Sequence, residues 1–141
     1  MANMSGTEHA VELSKQMPTL AVGVHLTLTC GKPILGKKVS SLIRNDGNFY
    51  NLCDFENENV KIDENELYDE WKTQIDKLYS LGIKLSHIDS HHHIHTFNQT
   101  AEIAKTLSKE YNLPVRNCNK AVVDNDINFL DLCNYEPIRD M

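Results

Sequence analysis

An amphipathic helical stripe held between two apolar, β-branched runs most narrows the folds open to this chain. Residues 20–28 (LAVGVHLTL) have the character of a buried strand. Leu67, Trp71, Ile75, Leu78 and Leu81 then recur at helical spacing. Asp63 and Glu66 have capping-box spacing at the start of that helix, and Gly82 is placed to cap its end. Residues 83–89 give a second strand. Residues 98–112 predict another helix with Ala101, Ile103, Ala104 and Leu107 facing inward, and residues 114–118 a short third strand. Ahead of these, Ser5 and Glu8 repeat the capping-box spacing. They open a helix through about Met17, with Ala10, Val11, Leu13, Ser14 and Met17 as its apolar face and Pro18 as its stop. Strands alternating with helices predict an α/β fold, a parallel sheet with covering helices. Chemistry in such folds gathers at the C-terminal ends of the strands.

Between Thr29 and about Ile62 the pattern weakens. Gly31, Pro33, Gly36 and the Asp46-Gly47 pair mark turns, which makes this a long irregular connection of the kind that often serves as a lid or binding loop. Residues 124–141 fit neither period. The 141 residues suit a single domain, and 40% hydrophobic against 24% charged residues is a globular composition. A net charge of -6 argues against nucleic acid or an anionic membrane as the main partner. There is no apolar run of membrane-spanning length and no leader-like N-terminus, so a cytoplasmic location is expected. The four cysteines (Cys30, Cys53, Cys118, Cys133) lack CxxC or zinc-finger spacing and are expected as free thiols. Walker, GxGxxG and GxSxG patterns are absent.

Five of the seven histidines fall in the nine residues 87–95 (HIDSHHHIH). Imidazole is the commonest metal ligand, and so dense an internal cluster calls for a chemical cause. In extended backbone His87, Asp89, His91, His93 and His95 would share one face. His91, where the strand should end, is the best ligand in the run. His87 lies too early, and His92 has the wrong phase. Asp89 can ligate, orient a ligating histidine, act as a base, or simply cap a turn. His93 and His95 can line a pocket or move protons. His25, near the end of the first strand, is either a second ligand or a buried strand histidine. Arg116 can bind an anionic or hydroxyl-rich substrate or form a surface ion pair. Lys32 is best read as a solvated turn lysine.

Residues 23–33 (GVHLTLTCGKP), residues 87–95 and the HAVELS segment at 9–14 resemble the YdjC-like carbohydrate deacetylases, and among them the chitooligosaccharide branch. The resemblance implies a (β/α) barrel related to the polysaccharide deacetylases. It also implies a divalent-metal hydrolase that removes acetyl groups from N-acetylated oligosaccharides, with His25 and His91 as metal ligands. Magnesium is the metal the family implies, whereas paired imidazoles suit zinc or another transition metal better. A homodimer is implied as well.

The family pattern also contains an early Asp-Asp-x-Gly motif, which supplies a ligand and a base, and a later histidine-proline motif. Neither occurs in this sequence. The expectation is therefore a central fragment, a partial barrel over residues 1–141, set against about 250 residues for a complete one. Unpaired strand edges should leave it unstable or oligomeric, and activity should be low. Two alternatives stand beside the deacetylase: a metal- or sugar-binding remnant without catalysis, and another metallohydrolase built on an HxH pair.

Overall fold

The computed structural model describes residues 1–57 and 60–116, with the backbone of 129–130. The first strand, β1 (Val22–Leu26), stands at one edge of the described sheet and pairs in parallel with β2 (Leu85–Ser90). A third strand, β3 (Val115–Arg116), and a fourth, β4 (Phe129–Leu130), follow in parallel, so the sheet order is β1-β2-β3-β4. Sequential parallel neighbours require crossovers, and helices supply those from β1 to β2 and from β2 to β3. In chain order the helices are α1 (Thr7–Lys15), α2 (Leu52–Glu56), α3 (Glu64–Ser80) and α4 (Ala101–Tyr111). This is the expected small α/β unit with a parallel sheet. The predicted strand at 114–118 is seen as β3, and its last two residues lie outside the described ones. Of residues 124–141 only β4 is described, and Cys118 and Cys133 also fall outside. Cys30 and Cys53 are free thiols. No helix among the described residues is long and apolar enough to cross a membrane.

The helix α3 forms where its sequence directs it. Asp63 caps it by accepting hydrogen bonds from the amides of Asn65 (2.8 Å) and Glu66 (3.1 Å). Gly82 follows its last turn at φ +84°, and the amide of Ile83 donates back to the Leu78 carbonyl at 3.1 Å. Leu67, Trp71, Ile75 and Leu78 are buried against the sheet with Val24, Leu26 and Ile88. A second row on the same helix is also buried or half-buried, and it is polar: Glu66, Glu70 and Gln74. These bind backbone rather than solvent. Glu66, expected to close the capping box, accepts instead from the Ser41 amide at 2.7 Å, while the Asp63 amide donates to the Ser41 hydroxyl at 2.9 Å.

The connection from Thr29 to Ile62 is long and irregular as expected, with short elements only among its described residues. It carries two short 3-10 turns (Gly36–Lys38 and Ser40–Leu42) and α2, capped by a reciprocal Asn51/Asp54 box. Its Val39, Leu42, Phe49 and Phe55 join the core. Of the apolar face expected of α1, Val11 is buried and Ser14 half-buried, and the rest is not. Thr7 and Val11, one turn apart, pack inward, whereas Ala10, Leu13 and Met17 are exposed. The helix also begins at Thr7 behind Gly6, without the side-chain cap predicted from Ser5.

Candidate active site

Alternation in β1 buries Val24 and Leu26 completely and turns Gly23 and His25 to the opposite face. The pairing with β2 is interrupted there: Val22 opposes Leu85 but Val24 opposes Ile88, so two residues of β2, Ser86 and His87, face the single Gly23. The bulge lets the His87 ring lie directly on the Gly23 α-carbon, where a Cβ would stand 2.3 Å from His87 Nε2 and 2.5 Å from two ring carbons. No side chain fits without moving the imidazole. Gly23→Ala should therefore cost about 1–3 kcal/mol of stability by overpacking. Thermal denaturation of the two proteins checks this, and an unchanged midpoint would show that His87 swings away freely.

Beyond the bulge, His25 and Asp89 are register partners, each one residue from the C-terminal end of its strand. His25 Nδ1 lies 3.3 Å from Asp89 Oδ2. Arg116, the last residue of β3, reaches the same oxygen with Nη1 at 3.1 Å. The other oxygen of Asp89 accepts from the Ser90 amide at 2.7 Å. Burial alone would raise the pKa of this carboxyl. The hydrogen bond from His25, the Ser90 amide and the Arg116 guanidinium outweigh it and hold Asp89 well below the usual carboxylate range. So acidic a carboxyl is a poor proton acceptor and a firm anchor for the imidazole beside it. A proton held on His25 Nδ1 by Asp89 leaves the Nε2 lone pair for a Lewis acid.

After Ser90 the strand ends abruptly, and the shared face expected for His91, His93 and His95 ends with it. Residues His91–Thr96 form a 3-10 turn in which His92 (φ 56°, ψ 23°) and His93 (φ 52°, ψ 28°) are both left-handed. Two consecutive non-glycine residues in that region store local strain, of order 1–3 kcal/mol each. Histidine is among the few side chains that enter it with any frequency. The reversal separates the histidines by role. The His91 ring approaches the His25 ring, with centroids 5.8 Å apart, and lies 3.8 Å from the ring of His92. His92 in turn meets the Thr29 hydroxyl through Nδ1 at 3.0 Å. Burial and the neighbouring imidazoles lower the pKa of His91, which keeps it neutral and able to donate a lone pair. His93 is exposed. His95 is buried, with Nδ1 2.5 Å from the Ser90 hydroxyl and Nε2 2.9 Å from the Arg116 carbonyl. Both its nitrogens are engaged in tying the turn to β2 and β3.

His25, Asp89, His91 and Arg116 thus meet at one rim, and Lys32 is exposed on the loop beyond β1. Two facing imidazoles, one oriented by a carboxylate, suit a transition-metal ion as part of a ligand set. Among the described residues no third histidine, cysteine or carboxylate joins them to complete one. Reasoning from sequence missed Thr29, which meets His92, and Glu70 and Gln74 on α3, which bond the backbone that follows β1. Their polarity gave no sign that they were buried.

A parallel α/β unit with histidines, a carboxylate and a guanidinium at its strand ends defines a class of domain with a polar rim at the C-terminal edge of its sheet. The model of the YdjC-like protein family matches residues 1–137, and the chain belongs to that family. It is 43% identical over 116 residues to a carbohydrate deacetylase of Clostridium beijerinckii, covering 82% of this chain and 46% of that protein. It is 38% identical over 121 residues to a carbohydrate deacetylase of Vibrio cholerae, covering 86% and 47%. A crystal structure from Enterococcus faecalis V583, of a protein named for cellobiose-phosphate cleavage, superposes with a TM-score of 0.78 at 35% identity, covering 88% of this chain and 51% of that one. The chain spans about half the length of the curated relatives it matches.

Proposed function

We propose that this chain forms part of the active site of a carbohydrate deacetylase, a cytoplasmic hydrolase that removes acetyl groups from N-acetylated sugars such as chitooligosaccharides. The observation that carries this reading is the pairing of His25 with Asp89 beside the facing ring of His91. The names of the relatives support the sugar and the reaction. His25 and His91 are the residues that would hold a divalent ion. Such an ion, when bound, supplies a Lewis acid for the acetyl carbonyl and lowers the pKa of water. Imidazole donors favour zinc or a similar transition metal over magnesium, which prefers oxygen. Asp89 fixes the His25 tautomer and Arg116 fixes Asp89. Of the remaining histidines, exposed His93 is the candidate to meet a substrate and protonate a departing amine.

The test is acetate release from N,N′-diacetylchitobiose with zinc or magnesium added and then removed by chelator, with p-nitrophenyl phosphate as a counter-substrate. The expected result is chelator-sensitive acetate release, greater with zinc, and no phosphate release. Phosphate release without acetate would replace this reading with a phosphoesterase. A second reading, binding without turnover, is favoured by the lack of a third ligand among the described residues. Zinc binding with no acetate released would support it, and failure of both would sink both.

A further inference from the structure

The carboxylate of Glu70 is fully buried, and amides surround it. One oxygen accepts from the Ile34 amide and the other from the Leu35 amide, each at 3.0 Å, and Gln74 Nε2 donates to the first at 2.8 Å. Gln74, also fully buried, has a second set of bonds: its Oε1 accepts from the Thr27 amide at 2.9 Å and its Nε2 donates to the Thr27 carbonyl at 3.0 Å. The Trp71 indole donates to the same carbonyl at 3.2 Å. Gln74 therefore satisfies both backbone groups of Thr27, as a neighbouring strand would, just where β1 has left the sheet. A buried carboxylate is a costly way to hold a loop, since apolar packing would serve for stability alone. What a fully satisfied buried network adds is a single fixed geometry.

The geometry that is fixed belongs to the rim. Thr27 lies two residues past His25, Thr29 holds His92 by its hydroxyl, and the His92 ring rests on that of His91. We propose that Glu70 and Gln74 are positioning residues for the active site: from α3 they lock residues 27–35 into a rigid wall, which through Thr29 and His92 sets the place of the His91 ring. The connection after β1 thereby acts as a preformed wall rather than a moving lid. The inference rests on the proposed metal-ligand role of His91.

The experiment compares Glu70→Gln and Gln74→Leu with Ser108→Ala. Ser108 is a buried hydroxyl that bonds the Leu113 carbonyl at 2.7 Å at the far end of α4, so its loss tests stability alone. In each metal-free protein the imidazole nitrogen resonances of His91 and His92 are recorded by NMR, and zinc affinity is then measured against a chromophoric chelator. Glu70→Gln and Gln74→Leu should shift both sets of resonances and weaken zinc binding on the order of tenfold, the size typical of losing an outer support of a metal ligand. Ser108→Ala should lower the melting temperature and change neither. If the α3 variants lose only stability, with His91, His92 and zinc affinity as in the parent, the proposal is wrong. A parent that binds no zinc refutes the metal reading, while the resonances still decide the positioning. Should the α3 variants fail to fold, Thr29→Val cuts the same path at its last link, and unchanged His92 resonances and zinc affinity there overturn the proposal.

Discussion

Alanine at His25 or His91 should abolish metal-dependent acetate release, a loss of about 10³-fold or more. The estimate follows from the Lewis acid, which contributes several kcal/mol to such a reaction, with each 1.36 kcal/mol worth a factor of ten. The two substitutions should be equivalent, because a site with two imidazoles cannot hold its ion on one. Asparagine at Asp89 is the finer test. It preserves the shape of the side chain but removes the charge that His25 and Arg116 share. Deacetylation and zinc affinity should each fall on the order of 10–100-fold, as when a metal-bound histidine loses its carboxylate partner. The same variant should alter the acid limb of the stability curve. Asp89 has a depressed pKa in the folded chain. Its contribution to stability is therefore present above the ordinary aspartate pKa and is lost as pH falls toward the folded-state value. Asp89→Asn should lose stability at neutral pH and show a shallower fall in acid. Full activity in Asp89→Asn would remove the aspartate from the site, and zinc binding in His25→Ala and His91→Ala equal to the parent would show that the ligands are other residues.

The parts of this molecule legible in its sequence are those governed by one element at a time. The cap at Asp63, the stop at Gly82 and the stripe Leu67, Trp71, Ile75, Leu78 are local signals, and α3 obeys all of them. The same holds for the presence of β1 and for the delivery of His25 and Asp89 to one end of the sheet. What could not be read depends on contacts between elements. The bulge at Ser86 and His87 exists because Gly23 offers no side chain, a fact about two strands. The left-handed turn at His92 and His93 breaks an alternation that the letters alone would continue. Glu66, Glu70 and Gln74 follow helical spacing as well as the apolar stripe does, and polar residues on a helix are ordinarily solvated. Only the backbone of residues 27–41 folded over α3 shows why they are buried. The buried face of α1 departs in part from the expected one for a related reason. A short helix with scattered apolar residues takes its orientation from what it meets, and here Thr7 and Val11 meet the core while Leu13 and Met17 do not.

Trp71→Ala should be the most destabilising single substitution in the described part of the chain. Trp71 is fully buried and is the largest of the fully buried side chains, set among Leu26, Leu67 and Ile75 in the core under β1. Truncating a buried tryptophan removes its transfer free energy and leaves a cavity, at a cost of about 3–5 kcal/mol. Against a typical stability of about 5–15 kcal/mol, that is a large share of the total. The melting temperature should fall by roughly 10–25 °C, at a few degrees per kcal/mol for a domain of this size. Trp71→Phe is the milder change. Phenylalanine retains much of the apolar volume but loses the indole donor and part of the ring packing, while the Thr27 carbonyl keeps its bond from Gln74. That variant should cost about 1–3 kcal/mol, one hydrogen bond plus a small cavity. Leu13→Ala, at a side chain 49% exposed, should stay within about 0.5 kcal/mol and calibrate the series. Thermal unfolding followed by circular dichroism distinguishes the three. A Trp71→Ala midpoint within 2–3 °C of the parent, below the roughly 10 °C expected, would mean that the packing under β1 contributes little to the fold. The rim would then have to be held by the polar contacts of α3 alone.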